Sequence, residues 1–333
     1  MVRPASLRQR INHRLIRLGF PQDWFLIPLA AVIGILGGLA AAGFDWVVHH
    51  AVHFFYGRFH ELSLSPVHVA ALLTIPAAGG LLVGLIRHLW GHDMGGHGVP
   101  AVMEALARRG GVMRARVGLL RAVTATVTIG TGGSAGVEGP IIQIGSVIAS
   151  VVGQIARVSR QHMQTLVGAG AAAGLAGIFN APIAAVLFVV EVLLRDFSVR
   201  AFVPIVLASV FGSVTAVSLT GEGGALFSVP QEVIAAQSFA FADVGFYAVL
   251  GLVCGVVGSA FNTLLHRIES LSERIPGHPM MKPALGGLVL GVLGIGFVWL
   301  LHAPLPEYAP PLFFANGYPV VEALFRPASY ASG

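Results

Sequence analysis

Glu138 is the only acidic residue between Glu104 and Glu191, and it stands inside the glycine-rich run GTGGSAGVEGPIIQIGS, residues 130–146. A carboxylate in so apolar a setting is costly and is by default functional. Two other runs share the form of this one: GGHGVPAVMEAL (95–106) and GLAGIFNAPIAAVLFVVEVLL (174–194). In each of the three, a glycine or asparagine turn leads into a proline: Pro100, Pro140 or Pro182. Proline is tolerated in a first helical turn, where its missing N–H would be unpaired anyway, so each run reads as a turn that opens a helix. A helix N-terminus offers unpaired amides and roughly half a positive charge. Several such ends aimed at one place bind an anion without a full cation, and glycine lets the ion approach the amides. No Lys or Arg falls within the first two runs; a full cation there would bind too tightly for rapid release. Beside such a site Glu138 can take the place of the ion and leave when protonated, which makes it a gate and a candidate proton carrier.

Other chemistries fit the residues less well. GGSAG (132–136) has the G-x-S-x-G form of a hydrolase nucleophile, but the nearest following base, His162, sits beside Arg160 at an expected membrane surface. A cation site would need more than one buried acid. His49, His50 and His53 lack a spaced partner to complete a metal site and read as interfacial. The one cysteine, Cys254, excludes a disulfide framework and a thiolate metal site. No metal and no cofactor is expected.

These turns must be held by membrane helices. The chain is 55% hydrophobic and only 11% charged, against roughly 25% charged in soluble domains. No Asp, Glu, Lys or Arg occurs between Asp23 and Asp45, Glu61 and Arg87, Arg160 and Glu191, Arg200 and Glu222, Asp243 and Arg267, or Lys282 and Glu307. Each gap is close to or above the ~20 residues a helix needs to cross the hydrocarbon. Lipid admits only segments that satisfy their own backbone, so the fold class is an all-α polytopic membrane protein. The net charge of +5 comes from arginines at span ends, the positive-inside pattern, and does not imply nucleic acid. Arg3, Arg8, Arg10, Arg14 and Arg17 precede the first span and place the N-terminus in the cytoplasm. Arg108, Arg109, Arg114, Arg116 and Arg121 are expected on the same side. Arginines flank the Glu138 run on both sides, so the chain is expected to enter and return on one side, turning at the glycines.

The chain also repeats itself. AVIGILGGLAAAGFDW (31–46) resembles AVLGLVCGVVGSAFNT (248–263), PAAGGLLVGLI (76–86) matches PALGGLVLGVL (283–293), and HGVP (97–100) matches NGYP (316–319). Three matches in order indicate a duplication of the kind that builds many transporters. The expected organisation is a basic cytoplasmic arm over 1–22, a first transmembrane repeat over 23–235 and the start of a second over 236–333. The later motifs of the first copy have no counterpart, so the sequence is expected to be a fragment or one partner of a split protein.

The three broken segments resemble those of the CLC chloride channels and transporters. GHGVP (96–100) is similar to that family's Gly-Ser-Gly-Ile-Pro, GVEGP (136–140) to its Gly-Arg/Lys-Glu-Gly-Pro, and NAPIAAVLFVVE (180–191) to its Asn-Ala-Pro-Leu-Ala-Gly-x-Leu-Phe-x-x-Glu. The resemblance implies an inverted-repeat fold with broken, re-entrant helices, here with the second repeat truncated, assembled as a homodimer in the cell membrane among its lipids. It implies transport of chloride or a similar small anion, not catalysis, with Glu138 as the gate. The anion would be bound by His97, Gly98, Val99 and Pro100 and by Gly136, Val137, Gly139 and Pro140. Three positions depart from the pattern. His97 replaces a chloride-contacting serine, Val137 replaces a basic residue, and Val192 stands where proton-coupled members carry a second glutamate. Glu191 and Val192 would mark a proton pathway. Glu191 follows an apolar helix face, where a structural hydrogen bond is the plainer reading. The alternative within the family is a proton-coupled chloride or fluoride antiporter.

Overall fold

A computed structural model describes residues 24–57, 65–94, 96, 98–221, 241, 243–301 and 313–325. The basic arm and His97 lie outside the described residues. Among the described residues all regular structure is helical: α1 (Leu26–Tyr56), α2 (Pro66–Met94), α3 (Gly98–Arg109), α4 (Ala115–Gly130), α5 (Glu138–Ile155), α6 (Arg160–Phe179), α7 (Pro182–Phe188), a π-helical turn (Val189–Leu194), α8 (Val199–Thr220), α9 (Asp243–Arg274), α10 (Lys282–Leu301) and α11 (Tyr318–Leu324). Of these, α1, α2, α5, α8, α9 and α10 are long and apolar enough to cross a membrane. The charge-free gap from Arg160 to Glu191 is divided in two. Asn180, left-handed at φ 48°, ends α6, and Pro182 opens α7.

The helices gather into two compact units. Of the described residues, the first holds 24–54, 90–94, 96, 98–130 and 135–221, and the second holds 55–57, 65–89, 131–134, 241, 243–301 and 313–325.

In the first unit α6 is the central post. From Gly168 to Ala176 it carries only glycine, alanine and one leucine, which lets neighbours approach backbone to backbone. A Cβ added to Gly37 of α1 would lie 2.7 Å from the Cβ of Ala173, and one on Gly170 would lie 2.5 Å from the Cβ of Ala149 in α5. A Cβ on Gly212 of α8 would lie 2.6 Å from the Ala173 carbonyl oxygen. Lipid supplies little hydrophobic drive between helices, so close packing of this kind must hold them together. The helices α4 and α5 run antiparallel. The Met113 amide donates to Ser150 Oγ (2.8 Å), Ser150 Oγ donates to the Gly111 carbonyl (2.7 Å), and Gln154 Nε2 donates to the Met113 carbonyl (2.8 Å). The start of α4 therefore lies beside the end of α5, and the pair enters and returns on one side.

In the second unit α2 and α10 carry the sequence match at Pro76 and Pro283, and they pack against each other. A Cβ on Gly80 would press on Pro283 and lie 2.9 Å from the Ala284 nitrogen; one on Gly287 would press on Pro76 and lie 2.7 Å from the Ala77 nitrogen. One turn further along each helix, Gly84 faces Met280 and Gly291 faces Leu72 and Leu73. Matched residues thus make matched contacts along two helices running in opposite directions. That is the local two-fold of an inverted repeat. Elsewhere in this unit Tyr56 donates to the Thr131 carbonyl (2.9 Å), the Ala315 amide donates to the Gly132 carbonyl (3.2 Å), and Phe314 is wholly buried. None of the described residues of α9 is buried.

Candidate functional site

Two of the three predicted turns meet. Gly98 opens α3 with φ 57°, a left-handed conformation that favours glycine. Gly139 lies in the first turn of α5. A Cβ built on either glycine would sit 3.5 Å from the Cα of the other, so the two helix starts touch through bare backbone. In α5 the first intrahelical bond runs from the Ile141 amide to the Val137 carbonyl (3.0 Å), and no side chain caps the helix. The first-turn amides of α5 lie outside the helix's own i to i−4 ladder. Pro140 has no amide. Both helix dipoles present their positive ends here.

The Glu138 side chain turns back along its own loop. A Cβ on Gly136 would land on Glu138 Oε2 and lie 2.8 Å from Cδ and 3.2 Å from Oε1. Glu138 is half-buried, Gly136 is exposed, and the Val137 side chain is wholly buried. Gly98 and Val99 are half-buried and Pro100 is exposed. An apolar residue at position 137 thus packs inward, leaving only its backbone to line the turn.

One residue of this site was misplaced by sequence reasoning. Arg121 was expected with the other arginines at the membrane surface. It is buried at 7% exposure, and its Nη2 donates to the Gly96 carbonyl, two residues before α3. A long side chain two turns into a helix can reach back to a neighbouring loop, and hydropathy patterning does not encode that reach. The resulting charge-assisted bond ties the Gly96 turn to α4.

The third broken segment supplies support and the predicted proton-pathway residues. Ser213 Oγ donates to Asn180 Oδ1 (2.5 Å), and Ser209 Oγ donates to the Pro182 carbonyl (2.8 Å), which pins the break between α6 and α7 onto α8. Glu191 and Val192 fall in the π-helical turn. Such turns are uncommon and concentrate at functional sites. Glu191 is exposed, and among the described residues its side chain makes no hydrogen bond or ion pair. The structural hydrogen bond expected for it is not formed there.

The remaining candidates are placed simply. Among the described residues no three His, Cys, Asp or Glu gather as a metal site. His50 stacks on Trp46 with centroids 4.1 Å apart and contacts the Trp46 carbonyl oxygen at 2.8 Å. His162 follows the far end of the 18-residue α5, a helix of about 27 Å.

The model of the voltage gated chloride channel family matches residues 79–331. The chain belongs to that family. Among CLC relatives, it is 30% identical over 310 residues to a putative chloride channel protein ClcB-like of Ralstonia nicotianae, covering 90% of this chain and 67% of the relative. It is 31% identical to the H+/Cl− exchange transporter ClcA of Salmonella arizonae, covering 86% and 61%. With chloride channel protein CLC-f of Arabidopsis thaliana it shares 28% identity, covering 85% and 37%. The chain thus spans between 37% and 67% of the length of these three CLC proteins. Among solved structures it resembles a CLC-type fluoride/proton antiporter, with TM-score 0.74, 26% identity and coverage of 91% of this chain and 70% of that one. It shares the fold of a slow cyanobacterial Cl−/H+ antiporter at TM-score 0.75 and 23% identity, covering 91% and 68%. The CLC inverted-repeat fold expected from the three broken segments is therefore the fold of this chain, a multi-pass membrane protein.

Proposed function

We propose that the chain carries chloride or a similar small anion across the cell membrane, with Glu138 as the gate. The observation that carries this reading is the contact between Gly98 and Gly139. It brings two helix N-termini together with no side chain between them and sets the only carboxylate of the segment beside them. The amides of Gly98, Val99, Gly136, Val137 and Gly139 would hold the ion weakly, shaped by Pro100 and Pro140, and His97 would add an imidazole donor. A charged Glu138 competes with the anion; a protonated one releases the turn. Conduction by this route needs no cofactor and no covalent step, so the protein acts as a transporter and not as an enzyme.

Proton coupling is the second reading, favoured by the π-helical turn that exposes Glu191. Val192 leaves that path with one carboxylate. Relatives that couple anions to protons also support this reading, as do those named channels support the first.

Orientation and assembly follow the same logic. Arg108, Arg109, Arg114, Arg116, Arg157 and Arg160 fall at the end of the first unit where α3 and α5 finish and α4 and α6 begin. Leu26, which opens α1, packs there against Ala149 and Leu166. By the positive-inside rule this end, and the N-terminus with it, faces the cytoplasm. A homodimer is the assembly the family resemblance supports.

The test is anion efflux from liposomes. Glu138→Gln mimics the protonated gate, so efflux should persist and lose its acceleration at low pH. An E138Q protein whose efflux and pH response match the wild type would sink the assignment. Sodium efflux in place of chloride would sink the anion reading.

A further inference from the structure

Arg195 and Arg200 have no part in the pathway just described, yet they share a cavity of about 750 Å³ in the first unit. The cavity opens at the arginine-rich end. Leu106 and Ala107 of α3, Ser159 and His162 at the start of α6, and Leu193 and Leu194 of the π-helical turn line its walls. Its nearest lining residue on α3, Met103, lies about 7.5 Å along the helix from Gly98, and none of the anion-site residues lines it.

The charges in it are unbalanced. Arg160 donates to the Ala107 carbonyl (3.3 Å), and Gln164 Nε2 donates to the Leu106 carbonyl (3.2 Å), which satisfies the end of α3. Asp196 is the one acid among the lining residues, and both of its oxygens are engaged by Ser198, through the amide (2.8 Å) and through the hydroxyl (3.0 Å). Neither Arg195 nor Arg200 forms an ion pair among the described residues. Arg195 holds a left-handed conformation, φ 53°, where the π-helical turn ends. The rest of the lining is divided between hydroxyl or amide groups and apolar side chains. Directly beside it in sequence, Phe197 is 66% exposed and Val199 77% exposed.

On the orientation proposed above, which sets this end at the cytoplasmic membrane surface, two guanidinium groups with no ion pair among the described residues, over a polar floor and bordered by exposed apolar side chains, match one kind of molecule. The geometry points to an anionic phospholipid of the inner leaflet, its phosphate held by Arg195 and Arg200 and its chains lying along Phe197 and Val199. Arginine pairs with phosphate through two parallel N–H donors, and basic pockets on the cytoplasmic side of helix bundles take anionic headgroups.

The test is lipid retention. The full chain is reconstituted with equal amounts of phosphatidylglycerol and phosphatidylcholine, extracted in mild detergent, and examined by native mass spectrometry. The wild type should keep phosphatidylglycerol about thirtyfold over phosphatidylcholine, the equivalent of about 2 kcal/mol for two surface arginines. The exposed double variant R195Q/R200Q should lose that preference. The control R267Q/R274Q, on α9, should keep it. Equal retention by wild type and R195Q/R200Q would overturn the proposal, as would the same loss in the control. If inorganic phosphate displaces the lipid, the site is one for a free anion and the lipid assignment fails.

Discussion

Gly136→Ala tests the gate without touching the gating carboxylate. The added methyl would fall on Glu138 Oε2 and crowd Cδ at 2.8 Å and Oε1 at 3.2 Å. Nothing in the backbone resists the change, since Gly136 is not among the glycines with positive φ. The atoms that must yield are the far end of one flexible side chain. The carboxylate therefore swings to another rotamer, at a cost of about 0.5–1.5 kcal/mol. If the resting position over the turn is the closed state, its population relative to open states falls by that amount, between about twofold and about twelvefold. Chloride efflux from liposomes, followed with an ion-selective electrode, should rise by the same factor at neutral pH. Its acceleration on acidification should shrink correspondingly, because protonation would release a gate already displaced. The decisive comparison is a double-mutant cycle. On the E138Q background Gly136→Ala should change nothing, since no charged carboxylate is left to displace. A rise of equal size on both backgrounds would show that the methyl acts through the backbone of the turn. Wild-type efflux and pH response in the single variant would show that the carboxylate position over Gly136 has no bearing on conduction.

Other expectations follow from the packing. Gly80→Ala and Gly287→Ala each force α2 and α10 apart against backbone, which should cost each about 1–3 kcal/mol; thermal inactivation in detergent should shift equally for the two, and the double variant should shift by less than their sum because one separation relieves both clashes. Unequal shifts would remove the two-fold relation. Arg121→Gln withdraws a charged donor from the Gly96 carbonyl, a loss of about 1–3 kcal/mol, and should weaken chloride binding several-fold by calorimetry. Arg116→Gln, on the same helix but set over the Trp90 ring at 5.9 Å, should leave that affinity unchanged.

Much of this architecture was written in local patterns. Charge-free lengths located five of the six candidate spans among the described residues, because lipid excludes charge whatever the neighbours. Glycine or asparagine followed by proline marked the three breaks, because those residues shape the backbone by themselves. The repeat at Pro76 and Pro283 announced a duplication before any contact was known. Tertiary structure decided the rest. That Gly98 touches Gly139, 41 positions away by residue number, is encoded only by the absence of side chains, and an absence names no partner. The burial of Arg121, the fold-back of Glu138 over Gly136 and the π-helical register at Glu191 depend on what surrounds each residue. Sequence thus determined which segments break inside the membrane and which group could gate them. Only the packing of α3 against α5 decided that two of those breaks share one place, because close approach between helices is a property of both surfaces at once.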